Sequence, residues 1–224
     1  MTGTLINSSA VLIGSLIGLA AGRRVPERLK TIVMQGLGLS VMLIGLQMAL
    51  TGREIILTVA CLLIGGITGE GINIEKRLES LGERIKKRFR SDSATFVQGF
   101  VFSSLLYLTG AMMIVGSIQD GTVGDPHILY IKSLLDGVAS IALASSMGVG
   151  VAFSALSVLV VQGGITLLAS HLLFLRTAAV LEAITATGGV LIFAIGINLL
   201  DLKKIRVGNL LPAIFYAIVW AALR

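Results

Sequence analysis

An ammonium and a carboxylate stand four residues apart in an otherwise apolar stretch of this chain. They belong to Lys132 and Asp136, and this spacing puts both on one face of a helix. Ionisable groups inside a membrane-spanning helix cost roughly 2.5 to 3.5 kcal/mol near its centre, so they are candidates for ion or substrate paths. Asp136 is therefore a candidate ligand on a cation or proton path. An intrahelical ion pair near the outer membrane surface is the alternative.

Four more polar residues are candidates for the same path. Gln119 and Asp120 close an apolar segment and are expected to join Asp136 on the outward-facing side. Gln47 and Asn198 lie inside two apolar segments that align with each other, which makes them candidate symmetry-related ligands. These five residues form the predicted substrate or ion path.

Glycines mark candidate breaks in the helices. The candidate breaks are Gly148, Gly150, Gly163 and Gly164. A broken helix leaves free N–H or C=O groups at membrane depth, where they can coordinate an anion or a cation. Close helix packing is the alternative role. Packing is the expected role of a second series, which repeats at every fourth residue of the first apolar segment: Ala10, Gly14, Gly18 and Gly22.

Residues for enzyme chemistry are few. The chain has two histidines, His127 and His171, and one cysteine, Cys61, so neither a His-rich nor a thiolate metal site is expected. No HExxH, phosphate-binding loop or dinucleotide fingerprint occurs. A serine nucleophile among residues 133 to 154 is the one enzymatic alternative, an intramembrane hydrolase. We therefore expect no enzyme activity, no metal and no cofactor.

The composition of the chain indicates a membrane protein. Of the 224 residues, 55% are hydrophobic and only 13% are charged, about half the charge of an ordinary soluble domain. The formal net charge of +6 alone would suggest nucleic acid as a partner. The basic residues, however, lie between apolar segments, so we expect the lipid bilayer as the partner and no nucleic acid.

A spanning helix needs roughly 20 mainly apolar residues. The chain is predicted to be an all-α integral membrane protein with seven or eight such helices. The candidate spans are residues 4–22, 31–50, 54–72, 95–118, 128–146, 149–174, 177–200 and 207–223. The fifth span is joined to the sixth only through the short stretch 146–150, so residues 128–174 are either two spans or a re-entrant hairpin.

The loop charges predict the orientation. Basic residues cluster at 23–30, 76–90 and 203–206, so fourteen of the 18 are expected on the cytoplasmic side, with the N-terminus outside. The remaining basic residues, on or near the outer side, are Arg53, Lys132, Arg176 and Arg224. Within 73–92, apolar residues recur every three or four positions, which predicts an amphipathic helix in the cytoplasmic interface. Partner binding by this helix is the alternative.

An internal repeat is visible at an offset of 151 residues. Gly38, Gly45 and Gln47 align with Gly189, Gly196 and Asn198, so spans two and three correspond to spans seven and eight. The loop charges give the two copies opposite orientations, as in many secondary transporters. We therefore expect a single membrane domain, 1–224. Its predicted parts are a three-helix unit at 4–72, the interfacial helix at 73–92, a central helix pair at 95–146 and an inverted three-helix unit at 149–223.

Several motifs resemble those of the domain-of-unknown-function 554 (DUF554) family, and the likeness covers nearly the whole chain. The motifs are Gly110-Ala-Met112, Gly116-Ser-Ile-Gln-Asp-Gly121, Lys132-Ser-Leu-Leu-Asp-Gly137, the run Ala144 to Ala155, and Arg206-Val-Gly-Asn-Leu-Leu-Pro-Ala213. The resemblance implies a bacterial multi-span protein of the inner (plasma) membrane. It implies no substrate and no catalytic role for any residue.

These observations predict a transporter or channel for a small solute or ion, driven by a gradient and with its site near the membrane midplane, where span two meets span seven. The alternative is a membrane scaffold or sensor that recruits a partner through the basic amphipathic helix. The small-residue faces also make a homodimer a candidate assembly.

Overall fold

The computed structural model describes residues 1–22 and 26–223 of the chain. Arg23, Arg24 and Arg224, which entered the loop-charge argument, lie outside the described residues. Within them the secondary structure is helical, with no strand. The helices are α1 (Thr2–Gly22), α2 (Glu27–Ala49), α3 (Ile55–Ile72), α4 (Ile74–Arg88), α5 (Phe96–Leu108), α6 (Ala111–Thr122), α7 (His127–Met147), α8 (Gly150–Leu167), α9 (Ala178–Leu199), α10 (Val207–Leu210) and α11 (Pro212–Ala222), with short 3-10 turns at Ala169–His171 and Leu173–Arg176.

Six of these helices are long and apolar enough to cross a membrane: α1, α2 from Thr31, α3, α7, α8 and α9. The predicted fourth span is instead the pair α5 and α6, bent by 64°, which gives a seventh span if the pair crosses as one. The predicted eighth span is a shorter apolar segment, 207–222, interrupted where Pro212 begins α11. The all-helical membrane class is confirmed, with six or seven candidate spans.

The chain forms two compact units, which we describe separately. Unit 1 comprises Met1–Met34, Glu79–Leu108 and Met112–Leu172. Unit 2 comprises Gln35–Leu78, Thr109–Ala111 and Leu173–Arg224. Each compact unit therefore contains helices from both predicted three-helix segments, 4–72 and 149–223. The division of the chain into those two segments stays a prediction.

In unit 1, α1 packs along α7 with almost no space between the two backbones. A Cβ added to Gly14, Gly18 or Gly22 would meet a backbone carbonyl of α7, from residues 137, 141 and 145 in turn. Both series advance by four residues, so the helices are parallel. The glycine face that the four-residue spacing predicts is thus used for packing.

The turn between α7 and α8 is built on glycine. Gly148 has φ +81°, a left-handed conformation that side chains other than glycine rarely adopt. Gly150 begins α8 against the Phe96 backbone of α5, closer than a Cβ would allow. Gly163 and Gly164, in contrast, lie inside α8, which continues without a break to Leu167. The helix pair is therefore interrupted only at the first two of the four predicted positions.

In unit 2, α2 and α9 are antiparallel and approach closely at small residues. A Cβ on Gly45 would meet the backbone of Gly189 and Phe193, and one on Gly196 would meet the backbone of Gly38 and Met42. The pair α3 and α11 is also antiparallel.

There a Cβ on Gly65 would meet the backbone of Ala213 in α11, and one on Gly69 would meet the backbone of Asn209 in the preceding α10. Like the α2–α9 pair, these helices come from opposite ends of the sequence.

The segment predicted to be amphipathic forms α4. Leu78 and Ile85 are half-buried, whereas Leu81 and Phe89, just past the helix, are exposed. The Phe89 ring packs against Phe153 of α8 with 4.7 Å between centroids. The place of α4 at a membrane interface stays a prediction.

The packing of α1 on α7 predicts a clear difference between two glycine-to-alanine changes. Gly18→Ala should destabilise the protein by about 1 to 3 kcal/mol, because the new methyl group meets the rigid backbone of Ile141. Gly164→Ala is the matched control: it also lies within a helix, yet nothing comes within 4 Å of its Cβ position. Thermal unfolding of the purified protein in detergent measures both. Equal stability of the two variants would contradict the close contact.

Candidate functional site

Unit 1 contains a buried polar cluster, which we define as six residues from three helices: Thr4 and Asn7 of α1, Lys132 and Asp136 of α7, and Gln162 and Thr166 of α8. Each of the six is more than nine-tenths buried. Asp136 stands next to the midpoint of α7, with nine helical residues before it and eleven after. The polar cluster therefore reaches the middle of a helix long enough to span the membrane.

The charged members of the polar cluster form an ion pair within α7. The Lys132 ammonium binds the Asp136 carboxylate, and only 5% and 8% of the two residues' surfaces are exposed. The pairing matches the four-residue spacing in the sequence. Because both groups are buried, each charge depends on the other for compensation.

Amide side chains connect this ion pair to two other helices. The Asn7 Nδ2 group donates to Asp136 Oδ2 over 3.0 Å and to Gln162 Oε1 over 2.9 Å. Gln162 Nε2 in turn donates to the Thr4 hydroxyl over 3.2 Å, and that hydroxyl lies 3.0 Å from the hydroxyl of Thr166. The hydrogen bonds thus run from α7 through α1 to α8.

An aromatic residue borders the polar cluster. The Tyr107 hydroxyl of α5 lies 2.7 Å from the Ser140 hydroxyl of α7, one helical turn beyond Asp136. The Lys132 ammonium stands 5.9 Å from the centre of the Tyr107 ring, within the range of a cation–π contact. Tyr107 also lies two residues before the break between α5 and α6.

One buried polar atom at the ion pair lacks a protein partner. It is Asn7 Oδ1, and Asn7 is fully buried. An unsatisfied buried acceptor costs about 1 to 3 kcal/mol. Asn7 Oδ1 is therefore available to a hydrogen-bond donor or a cation that enters the polar cluster.

The sequence builds the polar cluster from one short polar stripe on each helix. The stripes repeat at three or four residues: Thr4 and Asn7; Lys132, Asp136 and Ser140; Gln162 and Thr166. Residues at these separations share a helix face, and so each stripe can turn inward as a unit. Of the six members of the polar cluster, the sequence-based prediction placed only Asp136 on the path, and it omitted Asn7, Gln162, Thr4 and Thr166. A search for neutral polar residues three or four positions apart within an apolar segment could have found these four residues.

The other residues predicted for the outward-facing path lie elsewhere in unit 1. Asp120 is buried, and its Oδ2 accepts the Gly3 N–H over 3.1 Å and lies 2.9 Å from the Met1 amino group. A carboxylate at this place complements the positive end of α1. Gln119 donates to Asp125 over 2.6 Å. The described contacts of Asp120 and Gln119 are therefore to helix ends rather than to Asp136.

The predicted symmetry-related pair belongs to unit 2. Gln47 is exposed on α2, whereas Asn198 uses its amide at the end of α9. Asn198 Nδ2 donates to the Ile205 carbonyl over 2.8 Å, and its Oδ1 accepts the Ile205 N–H over 2.7 Å. The antiparallel register of α2 and α9 keeps Gln47 and Asn198 apart along the helix axes. Neither residue is part of the polar cluster.

Unit 2 has a polar network of its own where α3 ends and α10 begins. The Glu70 carboxylate pairs with Arg206 and accepts the Asn209 amide over 2.7 Å. Glu75 accepts the Gly208 N–H over 2.6 Å. The paired side chains of Glu70 and Arg206 remain about half exposed, so this network serves to cap and join helix ends rather than to form an enclosed site.

A cleft of about 150 Å³ also lies in unit 2, between α3, α9 and α11. Five of its thirteen lining residues are alanine, and Thr187 contributes a buried hydroxyl that lacks a hydrogen-bond partner. Near its edge, the Arg53 backbone N–H donates to Glu182 over 2.7 Å. Among the described residues, no group of three or more His, Cys, Asp or Glu side chains could hold a metal ion.

Comparison with known proteins shows which family the chain resembles. The model of the family described as "Protein of unknown function (DUF554)" matches residues 2–222. The chain is 32% identical to "Uncharacterized membrane protein YdfK" of Bacillus subtilis (strain 168), over 96% of this chain and 93% of the relative. It is 29% identical to "Uncharacterized protein YqgA" of Escherichia coli (strain K12), over 98% and 96%. No solved structure matches. The apolar helices and these relatives together indicate a membrane protein.

The buried ion pair predicts unequal effects of single and double substitution. Lys132→Met should cost about 3 to 5 kcal/mol, because it leaves the Asp136 carboxylate without a positive partner in a buried place. The double variant Lys132→Met, Asp136→Leu removes both charges and should recover at least half of that loss. Thermal unfolding in detergent gives the comparison. A double variant as unstable as the single one would show that the ion pair does not control stability.

Proposed function

We propose that this chain, which belongs to the DUF554 family, is a gradient-driven membrane transporter or channel for a small solute or ion, with the polar cluster as its site. The observation that carries the proposal is the buried Lys132–Asp136 pair, bound by Asn7 of a second helix and linked through it to Gln162 of a third. Charged groups in membrane spans are costly, and those that face a bundle interior mark ion and substrate paths.

Stability alone does not account for this arrangement. Replacing a buried ion pair by apolar residues of similar volume is often neutral or stabilising, so a helix bundle does not need one to fold. The polar cluster also retains an acceptor without a partner, Asn7 Oδ1. A site that exchanges a ligand would need such a group, whereas a packing contact would not.

The break between α5 and α6 fits the same function. The 64° bend between α5 and α6 interrupts a span soon after Tyr107, the residue that borders the ion pair. Interrupted spans supply free backbone groups at membrane depth, and transporters use them to bind solutes and ions.

The contacts between α2 and α9 support an inverted repeat. At the 151-residue offset, each contact of one helix has a counterpart in which the two helices exchange roles: the contact of Gly45 with Phe193 and Gly189 corresponds to that of Gly196 with Met42 and Gly38. Such reciprocity is expected where antiparallel helices meet at a two-fold axis perpendicular to them. For helices that cross a membrane, that axis lies in the membrane plane. Two inverted copies can give inward-open and outward-open states of similar energy.

The proposed orientation places the N-terminus outside a bacterial inner membrane, with α4 and the loop after α9 in the cytoplasm. Three single cysteines in a Cys61→Ala background test this orientation. Lys87→Cys and Leu202→Cys should react only with a membrane-permeant maleimide, whereas Val123→Cys should also react with an impermeant one. The positions 123 and 202 are exposed, and position 87 is exposed on α4. Labelling of positions 87 and 202 from opposite sides would exclude the inverted repeat.

Transport itself is tested with the purified protein in proteoliposomes, under sodium, proton and mixed small-metabolite gradients. Gradient-dependent flux should occur with the native chain and should fall at least tenfold in Asp136→Asn, because the variant loses the only carboxylate of the polar cluster. Asp92→Asn is the control, since it makes the same chemical change at an exposed loop residue and should retain flux. The Gln47→Ala, Asn198→Ala double variant separately tests whether those amides belong to the path. A folded native chain without flux under any gradient would count against transport.

A scaffold or sensor is the second candidate, and α4 is the feature that favours it. Lys87 and Arg88 in its last turn are exposed, and the preceding Lys86 is half-buried. A basic surface of this kind suits anionic lipid headgroups or an acidic partner. The scaffold predicts a dry interior and unchanged function in Asp136→Asn, so the flux experiment separates the two proposals.

A further inference from the structure

We infer that the polar cluster binds a monovalent hard cation of the sodium type, and that the Lys132 ammonium is its built-in competitor. This inference rests on the proposed transport function, because it names the ion that the site would couple to. The proposed binding position lies at the Asp136 carboxylate. Protein hydrogen-bond donors occupy that position in this structure.

Two donors meet at one carboxylate oxygen. The Lys132 ammonium and the Asn7 Nδ2 group both bind Asp136 Oδ2, the latter over 3.0 Å. This is the place that a cation would take on the carboxylate. The ammonium and a cation exclude each other there, because together they would leave one buried positive charge without compensation.

A half-turn of the Asn7 amide would convert the donor position into a cation ligand. The turn exchanges Nδ2 for Oδ1, which would then lie close to Asp136 Oδ2 and Gln162 Oε1, the two oxygens now 3.0 and 2.9 Å from Nδ2. Asn7 Oδ1 gives up no hydrogen bond in this turn, since it has no partner in the present orientation. Carboxylate and amide oxygens of this kind are the ligands that hard cations prefer.

The charge of the polar cluster selects a monovalent ion. Asp136 is its single carboxylate, so one positive charge neutralises the site and a divalent ion would leave a buried net charge. The Thr4 hydroxyl, which lies 3.2 Å from Gln162 Nε2, holds the Gln162 amide so that its Oε1 stays directed at Asn7. Three helices thus fix the three oxygens.

Thermal unfolding of the purified full chain in detergent tests the inference, with sodium chloride compared with choline chloride at equal ionic strength and pH. The native chain should show a sodium-specific rise in the unfolding temperature. In Lys132→Ala the competitor is gone, so the apparent sodium dissociation constant should fall at least tenfold. The matched control is Lys132→Ala, Asp136→Asn, which carries neither charge and should unfold alike in both salts.

A second arm retains the ion pair and covers the case in which Lys132→Ala does not fold. Asn7→Ala removes the amide oxygen, and it should weaken the sodium-specific effect at least threefold relative to the native chain. An Asn7→Ala response equal to that of the native chain, or a folded Lys132→Ala that responds equally to sodium and choline, would overturn the cation site. Flux under a proton gradient without any sodium effect would overturn this inference alone, whereas sodium binding without flux under any gradient would overturn only the transport proposal.

Discussion

The close approach of α1 to α7 is the constraint on which the polar cluster depends. Glycines at every fourth residue of α1 allow its backbone to touch the carbonyls of α7, and bulkier residues at Gly14 or Gly18 would force the helices apart. Asn7 is on the same helix, and its amide reaches Asp136 because the two axes are this close. In a membrane, where apolar side chains gain little by leaving lipid, such backbone contact and the hydrogen bonds it permits are what hold helices together.

Much of the fold could be predicted from the sequence, because hydropathy and length directly report burial in lipid. The six span-length helices, α4 and the turn at Gly148 all lie where the pattern indicates them. The bend between α5 and α6 was not predicted, because the candidate breaks were assigned to glycines of the fifth and sixth spans, although Gly110 lies at the bend. The interruption at Pro212 had a visible signal, because proline cannot donate the helical hydrogen bond.

The candidate site was predictable only in part. Asp136 and Lys132 are visible because charge is rare in an apolar span, and their spacing gives the ion pair. Asn7 and Gln162 lie 155 residues apart in sequence, and their hydrogen bond depends on how α1 and α8 are rotated about their axes. Hydropathy says nothing about that rotation. Asn198 is the reverse case: the sequence selected it as a ligand, and its amide binds the turn that follows its own helix.

The two compact units show which helices of the two predicted copies contact each other. A repeat read from sequence suggests two separate bodies, yet each unit joins helices from the two predicted copies: α1 meets α8 in unit 1, while α2 meets α9 and α3 meets α11 in unit 2. In the proposed inverted repeat, a two-fold axis would have this effect, because counterparts near the axis become neighbours. The Asn7–Gln162 bond would then be a contact between the two proposed copies. Under the proposed inverted repeat, a cation that turns the Asn7 amide acts on that contact, where a small change in ligand can favour one of two nearly equal states.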